Sequence, residues 1–350
     1  MASALASAAA ESATRFAPDT GGLRHDDLLA PLPTQWNISD SQSLYTGFAN
    51  SYWSSSYISG DDGHEYLVLS HVLASSAMGV YRGSILDITD PSYFQQFTSF
   101  WNASSWFATN QTALNFALGD EFYFGLASDD KLGPITTWNE AESFSYNLTY
   151  DLSSPLMLNG GSGSFLWTTP TLVNEWSMPA GKTTGTITKK GTEITVDTEK
   201  SFTWYDRQWQ AGPSTNWTWF ELHIQTDGEE AVSRLSTWFY PAGWTGGAEK
   251  GFATIRKQPG VQIVSPAAKV NGDRVWTSPV SNVTYNLDWT LELEDGTTLY
   301  VSNVRDDQEL ADSAGFFVTY EGFVEVTGQT SSGESITGFG LVEIEPVQSS

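Results

Sequence analysis

The sequence predicts an all-β protein made of two antiparallel β-barrel or sandwich domains with few short helices. Short runs of β-branched and aromatic residues recur along the chain, and Gly, Pro, Asn or Asp separates them. Helical periodicity is almost absent from Glu121 onward, and no repeat of roughly 20–50 residues indicates a propeller or a solenoid. A chain of 350 residues exceeds one typical core, which favours two domains.

Turn residues set the expected domain limits. The polar, Pro-containing lead-in is interpreted as a flexible N-terminal arm over residues 1–33. Gly212-Pro213 interrupts two aromatic strands, and we place the domain boundary there. The predicted N-terminal domain therefore spans residues 34–213 and the predicted C-terminal domain spans residues 214–350.

The first predicted strands cover 65–73 and 79–88, which are short, apolar and rich in β-branched residues. The aromatic region 92–115 fits either a short helix or a loop, because its periodicity does not decide between them. Residues 183–198 alternate polar and apolar around Lys190-Gly191, which predicts a hairpin turn. Turn residues delimit further strands at 232–240, 251–257, 261–264, 283–293, 298–301, 315–327 and 336–345.

Charge and composition exclude several classes of protein. The chain has 16 Lys and Arg against 41 Asp and Glu, and its net charge of −25 repels phosphate backbones and anionic membranes. Nucleic acid is therefore not an expected partner. No run approaches the roughly 18 apolar residues that a membrane-spanning helix requires. There is no Cys, and the four His lack metal-ligand spacing, so we expect neither thiol chemistry nor a metal site.

Six glycosylation sequons indicate passage through a eukaryotic secretory route. These triplets, none with Pro in the middle, begin at Asn37, Asn102, Asn110, Asn147, Asn216 and Asn282. Residues 1–10 resemble the small-residue end of a signal peptide whose basic and long apolar parts are missing from the sequence. A flexible Ala/Ser arm is the alternative interpretation. The expected location is the secretory pathway or the extracellular space.

The stretch Ser201–Trp209 places an acid beside a base within a run of aromatic residues. A second aromatic run follows at 216–224, and turn residues between the two predict a hairpin. Phe220, Leu222 and Ile224 would point into an ordinary core, and the opposite face would line a pocket. A slip of one residue in the register would place Asp206 on that pocket face. In the expected register, that face carries Tyr205, Arg207, Trp209, Trp217, Trp219, Glu221 and His223.

Two interpretations of this hairpin stay open. Aromatic, acidic and basic side chains on one face fit a ligand pocket. Asp206, Arg207 and Glu221 could instead form a buried ion network that ties two sheets together. His71 lies in an apolar strand and is more typical of a hydrogen-bonded core residue than of a catalytic base. No G-x-S-x-G motif indicates a serine hydrolase.

Several short motifs resemble one known family. Trp204-Tyr-Asp-Arg-Gln-Trp209 is accompanied, in order, by Tyr320-Glu-Gly322, Val326-Thr-Gly328 and Gly338-Phe-Gly-Leu-Val-Glu343. Together they resemble the lipocalin-like family that includes hydroxyneurosporene synthase and fungal kievitone hydratase. Fungal Diels–Alderases, among them the hetero-Diels–Alderases of tropolonic sesquiterpenoid biosynthesis, are similar to the same family. The resemblance extends over residues 44–345.

The resemblance implies lipocalin-like β domains, a pocket for a hydrophobic polyketide or terpenoid substrate, and no cofactor. It favours a pericyclase that joins a quinone methide to a terpene alkene by a hetero-Diels–Alder reaction. Tyr205 or Arg207 would then donate hydrogen bonds to a substrate oxygen. The first alternative is a hydratase of a prenyl alkene, with Asp206 as the general acid and Glu221 or His223 guiding water. A non-catalytic carrier is the second alternative.

The same hypotheses assign the substrate-binding surface to tryptophan. Large apolar indole faces would hold the hydrocarbon and exclude water, and the residues expected in this role are Trp204, Trp209, Trp217 and Trp219. Bacterial members of the family often have His where this chain has Arg207, so a role tied to that position is not transferred. A homodimer is the expectation from base rates alone.

Overall fold

The computed structural model describes residues 15–19, 36–76, 78–103, 114–167, 171–211, 216–242, 247–258, 261–312, 315 and 317–346. Nearly all regular structure in these ranges is β-strand, which confirms the predicted all-β class. The described helices are short: α1 (Ile38–Ser41) and two 3-10 turns at Asn159–Gly161 and Thr198–Lys200. No helix in the described part of the chain is long and apolar enough to cross a membrane.

Thirteen strands from the first part of the chain form one open sheet. Its main path runs β4-β3-β2-β1-β13-β11-β8-β7-β6-β5, and β9, β10 and β12 pair with β11. The strands are β1 (Ala49–Ser59), β2 (Glu65–Ala74), β3 (Gly79–Asp87), β4 (Phe94–Trp101), β5 (Asn115–Leu118), β6 (Phe122–Leu126), β7 (Ile135–Glu140), β8 (Phe144–Tyr150), β9 (Met157–Leu158), β10 (Ser164–Leu166), β11 (Leu172–Lys189), β12 (Thr192–Thr195) and β13 (Phe202–Gln210).

Nine later strands form a second sheet, in the order β21-β20-β17-β16-β15-β14-β24-β23-β22. A further pairing of β21 with β23 closes eight of them into a barrel, and β18 pairs with β19 separately. The strands are β14 (Trp217–Thr226), β15 (Ser233–Ala242), β16 (Gly247–Gln258), β17 (Val261–Asn271), β18 (Val275–Thr277), β19 (Thr284–Asn286), β20 (Asp288–Leu293), β21 (Thr298–Asn303), β22 (Glu309–Ala311), β23 (Val318–Gln329) and β24 (Ser335–Glu345).

The open sheet curls into a half-barrel around its own core. Aromatic side chains from its far strands reach across this core, so that Phe116 lies 4.9 Å from Tyr52 and Phe122 stacks on Tyr81 at 4.1 Å between ring centroids. Tyr52, Tyr205 and Trp209 belong to the same buried cluster. The barrel has a separate interior that contains Phe220 and Leu222. Each sheet therefore buries one face on its own core.

The outer face of the half-barrel packs against the outside of the barrel. A third cluster of buried aromatic residues forms between the two sheets and contains Trp53, Trp204 and Trp219. Strands β13 and β14 are buried on both faces, since almost every residue of each is inaccessible. A strand covered on both sides reads as a continuous apolar run rather than an alternating one. This burial explains why the aromatic stretches stand out in the sequence.

The predicted hairpin between the two aromatic runs is wrong. β13 pairs with β1 and β11 in the half-barrel, whereas β14 pairs with β15 and β24 in the barrel. Arg207 consequently lies opposite Tyr52 and Trp176, and it never faces Glu221. Both runs need cover on two faces, and separate sheets provide it whereas a solvent-exposed hairpin does not. The alternation predicted within β14 is confirmed, because Phe220, Leu222 and Ile224 point into the barrel.

The predicted N-terminal arm is anchored where it is described. Phe16 is fully buried between the sheets and packs on Phe339 at 5.0 Å between ring centroids. Arg15 forms ion pairs with Glu65 of the half-barrel and Glu325 of the barrel, each at 3.3 Å. The short segment 15–19 thus contacts both sheets, which the polar composition of the arm did not indicate. The rest of residues 1–33 lies outside the described residues.

Two further expectations are settled in part. The region 92–115, predicted as a short helix or a loop, contains strand β4 at the edge of the half-barrel, because its large aromatic residues pair with β3. Five of the six predicted glycosylation sites are exposed, and Asn110 lies outside the described residues. Glycan occupancy and the secretory route stay predictions. The exposed sites are Asn37, Asn102, Asn147, Asn216 and Asn282.

A glycine in the barrel wall provides the first testable prediction. Gly340 of β24 pairs with Leu222, and a Cβ atom at this position would lie 1.9 Å from the backbone oxygen of Glu221. Gly340→Ala should therefore lower the free energy of unfolding by about 3 kcal/mol, as overpacking against backbone does. Thr337→Ala, at an exposed position on the same strand, should change it by no more than about 0.5 kcal/mol. Equal urea midpoints for the two variants would contradict the close approach.

Candidate active site

One row of side chains crosses the outer face of the half-barrel. Cross-strand pairing places Ser177 of β11 beside Asp206 of β13, Asp206 beside Trp53 of β1, Trp53 beside His71 of β2, and His71 beside Arg82 of β3. Directly paired residues point to the same face of a sheet. An acid, an indole, an imidazole and a guanidinium therefore stand side by side, and we call this set the floor row.

The barrel presents a matching row to the half-barrel. Trp219 of β14 pairs with Trp238 of β15 on one side and with Glu343 of β24 on the other, and Glu343 pairs with Glu321 of β23. We call these four residues the roof row. The indole of Trp53 connects the rows, since its Nε1 donates a hydrogen bond to Glu321 Oε2 at 3.0 Å. The ring of Trp53 also packs edge-on against Trp219 at 5.1 Å.

A cavity of about 520 Å³ lies between the two rows. Its volume falls within the range of roughly 300–1,000 Å³ typical of small-molecule sites. Ser51, Leu73 and Gln208 extend its wall on the half-barrel side, and Phe48 and Trp209 stand at one end. Of the four predicted substrate-binding tryptophans, Trp209, Trp217 and Trp219 line the cavity, together with Trp53 and Trp238, which the sequence analysis missed.

Asp206 is the predicted catalytic residue that lines this cavity. Its carboxyl group is nearly buried, and Oδ1 accepts a hydrogen bond from Trp204 Nε1 at 2.8 Å. Burial raises the pKa of Asp206 to about 7, although hydrogen bonds from Ser177 and Trp204 act to lower it. The group therefore carries a proton through much of the range near neutral pH. Trp204, the fourth predicted binding residue, supports the acid rather than lining the cavity.

Three other carboxyl groups, those of Glu175, Glu343 and Glu345, line the same cavity, and a fourth, that of Glu321, lies beside Glu343. Glu175 and Glu343 line the cavity, and burial raises the pKa of each well above its usual range. Burial also raises the pKa of Glu321 to about 7, with the charge of Arg82 acting to lower it. Glu175 is affected further by the charge of Asp206. Because neighbouring like charges oppose one another's ionisation, these carboxyl groups favour their protonated, neutral forms near neutral pH.

Tyr205 and Arg207 point away from the cavity into the core of the half-barrel. Arg207 is fully buried, and its guanidinium carbon lies 4.2 Å from the centre of the Tyr52 ring. Its nitrogen atoms donate hydrogen bonds to the backbone oxygens of Ser41, Ser43, Ser51 and Gln208 and to Asn50 Oδ1. The Tyr205 hydroxyl donates to Gln42 Oε1 at 2.7 Å. Both residues therefore hold the 41–51 segment that leads to the cavity.

Glu221 and His223 come together directly behind the floor row. Glu221 accepts hydrogen bonds from Ser55 Oγ of β1 at 2.7 and 3.0 Å and contacts His223 Nε2 at 3.0 Å. Arg234 donates to His223 Nδ1, so the ring proton is on Nε2 and points to Glu221. Burial and the charge of Arg234 hold the pKa of His223 well below its usual range. The group lies between the sheets and does not line the cavity.

His71 and Arg82 complete the floor row. His71 Nε2 contacts Ser51 Oγ at 2.9 Å, which agrees with the predicted hydrogen-bonded residue, although the ring also lines the cavity. Burial and the charge of Arg82 hold the pKa of His71 well below its usual range. Arg82 was missed, yet it shows the signal that identified Asp206, a charge within an otherwise apolar strand. The same signal marks Glu175, and Glu321 and Glu343 lie within the family motifs.

The described residues contain no group of three or more His, Cys, Asp or Glu side chains arranged to hold a metal ion. Within this part of the chain, the polar groups at the cavity are instead donors and proton-bearing acids set among indoles. Such an arrangement binds an apolar molecule and transfers a proton to or from it.

A curled half-barrel, a closed barrel and an aromatic, acid-lined cavity of small-molecule size between them define a lipocalin-like protein. The AttH-like family model matches residues 87–346, and the chain belongs to this family. The resemblance noted in the sequence is confirmed by this match.

Two relatives are similar along most of their length. Kievitone hydratase of Fusarium solani subsp. phaseoli is 34% identical over 317 residues, which cover 89% of this chain and 86% of that protein. Dehydratase asqC of Emericella nidulans is 30% identical over 349 residues, with 96% and 95% covered. Both relatives are named as enzymes, and the present chain is an enzyme of the same family.

Solved structures agree with this assignment. Kievitone hydratase from Nectria haematococca superposes with a TM-score of 0.84 at 29% identity, covering 96% of this chain and 99% of that one. CghA in complex with Sch210972 superposes with a TM-score of 0.51 at 13% identity, over 95% and 98% of the two chains. The second likeness shows a shared fold alone.

The buried position of Arg207 leads to a stability prediction. Arg207→Met leaves several carbonyl oxygens without a donor, and each unsatisfied buried acceptor costs about 1–3 kcal/mol. We expect the variant to lose about 3 kcal/mol or more in urea unfolding. Lys200→Met removes an exposed lysine that pairs with Asp197, and it should lose no more than about 1 kcal/mol. A loss of the same size in both variants would contradict the structural role of Arg207.

Proposed function

We propose that this enzyme adds water to, or removes water from, a carbon–carbon double bond of a hydrophobic secondary metabolite, without a cofactor. The observation that supports the proposal is the carboxyl group of Asp206, whose pKa is raised to about 7 and which lines a cavity together with five indole rings. An alkene is a weak base and requires a strong, well-placed acid. The relatives named as a hydratase and a dehydratase support the same class of reaction.

In the hydration direction, Asp206 transfers its proton to the less substituted alkene carbon, and the π electrons form the new C–H bond. The neighbouring carbon becomes a tertiary cation. The faces of Trp53 and Trp219 lie at the level of the acid, and an indole face stabilises a cation by its quadrupole. Water adds to the cation and releases a proton, which restores the acid. Dehydration is the reverse sequence, in which Asp206 protonates the departing hydroxyl group.

The roof row suits the water step. Glu343 lies across the cavity from Asp206, and Glu175 stands on the same floor. Asp206, left negatively charged after protonating the alkene, takes up the proton that the attacking water releases, while the protonated Glu343 and Glu175 donate hydrogen bonds that orient this water. Glu221 and His223, expected to guide water, lie behind the cavity wall. We therefore assign the water-directing role to the carboxyl groups that line the cavity.

The hetero-Diels–Alder reaction is the second candidate, and the size and apolar lining of the cavity support it. Trp53, Trp219 and Trp238 present indole surface to a cavity of about 520 Å³, and orienting reactants supplies much of the catalysis of a cycloaddition. The donors expected for this reaction, Tyr205 and Arg207, do not line the cavity. A pericyclase of this design would therefore polarise its substrate with other groups.

Asparagine at position 206 tests the role of the acid. Asp206→Asn keeps the size of the side chain but removes the transferable proton, so kcat/KM for hydration of a prenylated isoflavone should fall about 10²- to 10⁴-fold. Product formed by the wild-type enzyme in D₂O and H₂¹⁸O should contain one deuterium and one ¹⁸O on adjacent carbons. Asp273→Asn, a change at an exposed position, should leave the rate unaltered.

Retention of hydration within threefold by folded Asp206→Asn would refute the acid role. A generated quinone methide with a humulene-type alkene provides the other substrate arm. Stereoselective adduct from both the wild type and Asp206→Asn, without hydration by either, would favour the cycloaddition.

The pH dependence of kcat/KM provides an independent prediction. The reaction needs Asp206 in its protonated form, and that form is lost as the pH rises through the raised pKa of about 7. Because kcat/KM reports the ionisation of the free enzyme, its value for hydration should fall about tenfold per pH unit on the alkaline side. The residual activity of Asp206→Asn should lack this limb. A wild-type profile that rises between pH 7 and 9 would contradict the assignment.

A further inference from the structure

The far end of the floor row contains a buried cation without a partner. Arg82 is 2% exposed, yet no other described residue forms a hydrogen bond or an ion pair within 4.0 Å with its guanidinium group. The group lies over the ring of Phe317 at 5.5 Å, and its charge acts at longer range on Glu321 and Glu343. A buried guanidinium normally has its donors satisfied, as those of Arg207 are.

The neighbouring imidazole has an unused atom as well. His71 Nδ1 is buried and has no partner, although Nε2 contacts Ser51. His71 and Arg82 are directly paired across β2 and β3, and both line the cavity. Two unsatisfied nitrogen-bearing groups on adjacent positions of one face therefore converge on the same part of the cavity.

We propose that Arg82 and His71 bind an oxygen atom of the substrate and that this contact determines which molecules the enzyme accepts. This inference rests on the proposed function. The oxygen is a phenolic or carbonyl acceptor, since the guanidinium offers donors only. The alkene to be protonated then lies at the opposite end of the row, beside Asp206.

Strand spacing sets the length of this substrate. Asp206, Trp53, His71 and Arg82 occupy four adjacent strands, and three interstrand steps of about 4.8 Å separate acid and cation by roughly 14 Å. The side chains of Asp206 and Arg82 extend toward the substrate, so the substrate spans a shorter distance than the one between their strands. An aromatic system of two rings between the prenyl alkene and the oxygen fits this interval, and Trp53 and His71 lie beneath it.

Binding measured by quenching of cavity tryptophan fluorescence tests the proposal without turnover. The probes are 4′-prenylbiphenyl-4-ol, its parent without oxygen, the corresponding 4-acetyl ketone, and the shorter 4-prenylphenol. Wild-type enzyme should bind the biphenylol or the ketone about 10- to 100-fold more tightly than the parent. The preferred one of the two distinguishes a phenolic from a carbonyl partner. The shorter phenol should gain less than threefold over prenylbenzene.

Arg82→Gln should reduce this preference to less than threefold while the parent hydrocarbon still binds within threefold of the wild-type affinity. Arg82→Lys keeps the charge and should restore most of the preference, and this variant serves if Arg82→Gln does not fold. Arg274→Gln, the same change away from the cavity, should behave as wild type. Equal weakening of all probes by Arg82→Gln, or a preference that survives it, would overturn the proposal.

The acid variant separates this inference from the proposed function. Asp206→Asn should keep the full preference for the oxygenated probe, because Asp206 lies at the other end of the row. If Asp206→Asn still catalyses hydration but Arg82→Gln loses the preference, the acid role of Asp206 falls and the oxygen site stands. The opposite pair of results would overturn the oxygen site alone.

Discussion

The hydrogen bonds between Ser55 and Glu221 hold the half-barrel and the barrel together at the point where the cavity begins. Behind them, Tyr57, Phe202, His223 and Phe339 pack closely around Glu221 and exclude water. In front of them, two residues along the same strands, Trp53 and Trp219 line the cavity together with Asp206. A buried carboxyl group is costly unless its oxygens are bonded, and here donors from both sheets, Ser55 and His223, satisfy it. The contact therefore fixes how far the sheets separate.

The raised pKa of Asp206 follows from the close packing of side chains around Glu221 at this end of the cavity. Asp206 lies two residue pairs in front of the Ser55–Trp204 pair, close enough to the packed aromatic cluster to lose most of its hydration but still facing the cavity. Loss of hydration raises the pKa of Asp206, and the charge of Asp206 in turn raises the pKa of Glu175 and Glu343. The raised pKa of Asp206 is therefore a consequence of packing between the sheets. No metal or charged cofactor is required to explain it.

Much of the fold could be predicted, because strand patterns and turn residues are local. The turn at Lys190-Gly191 and most strand positions needed nothing beyond neighbouring residues. Pairing between distant strands was different: the runs at Phe202–Gln210 and Trp217–Thr226 are consecutive, yet each joins a separate sheet. Asp206 could be identified by its charge within an apolar strand and by the family motif. Arg82 and Glu175 could not be joined to it, since only cross-strand register shows that β3, β13 and β11 present these three side chains on one face of the sheet.

The alternation of side chains along strand β13 explains how one family motif contributes both to the cavity and to the core of the half-barrel. Successive side chains point to opposite faces, so Asp206 faces the cavity while Tyr205 and Arg207 face the half-barrel core. Arg207 binds the backbone of the 41–51 segment, which continues to Phe48 at the cavity end. A one-residue shift of this strand would exchange the acid and the guanidinium, leaving a cation at the alkene and an unpaired acid in the core. Asp206 therefore lies in the cavity, while the adjacent Arg207, on the other face of the sheet, holds the segment that leads to the cavity.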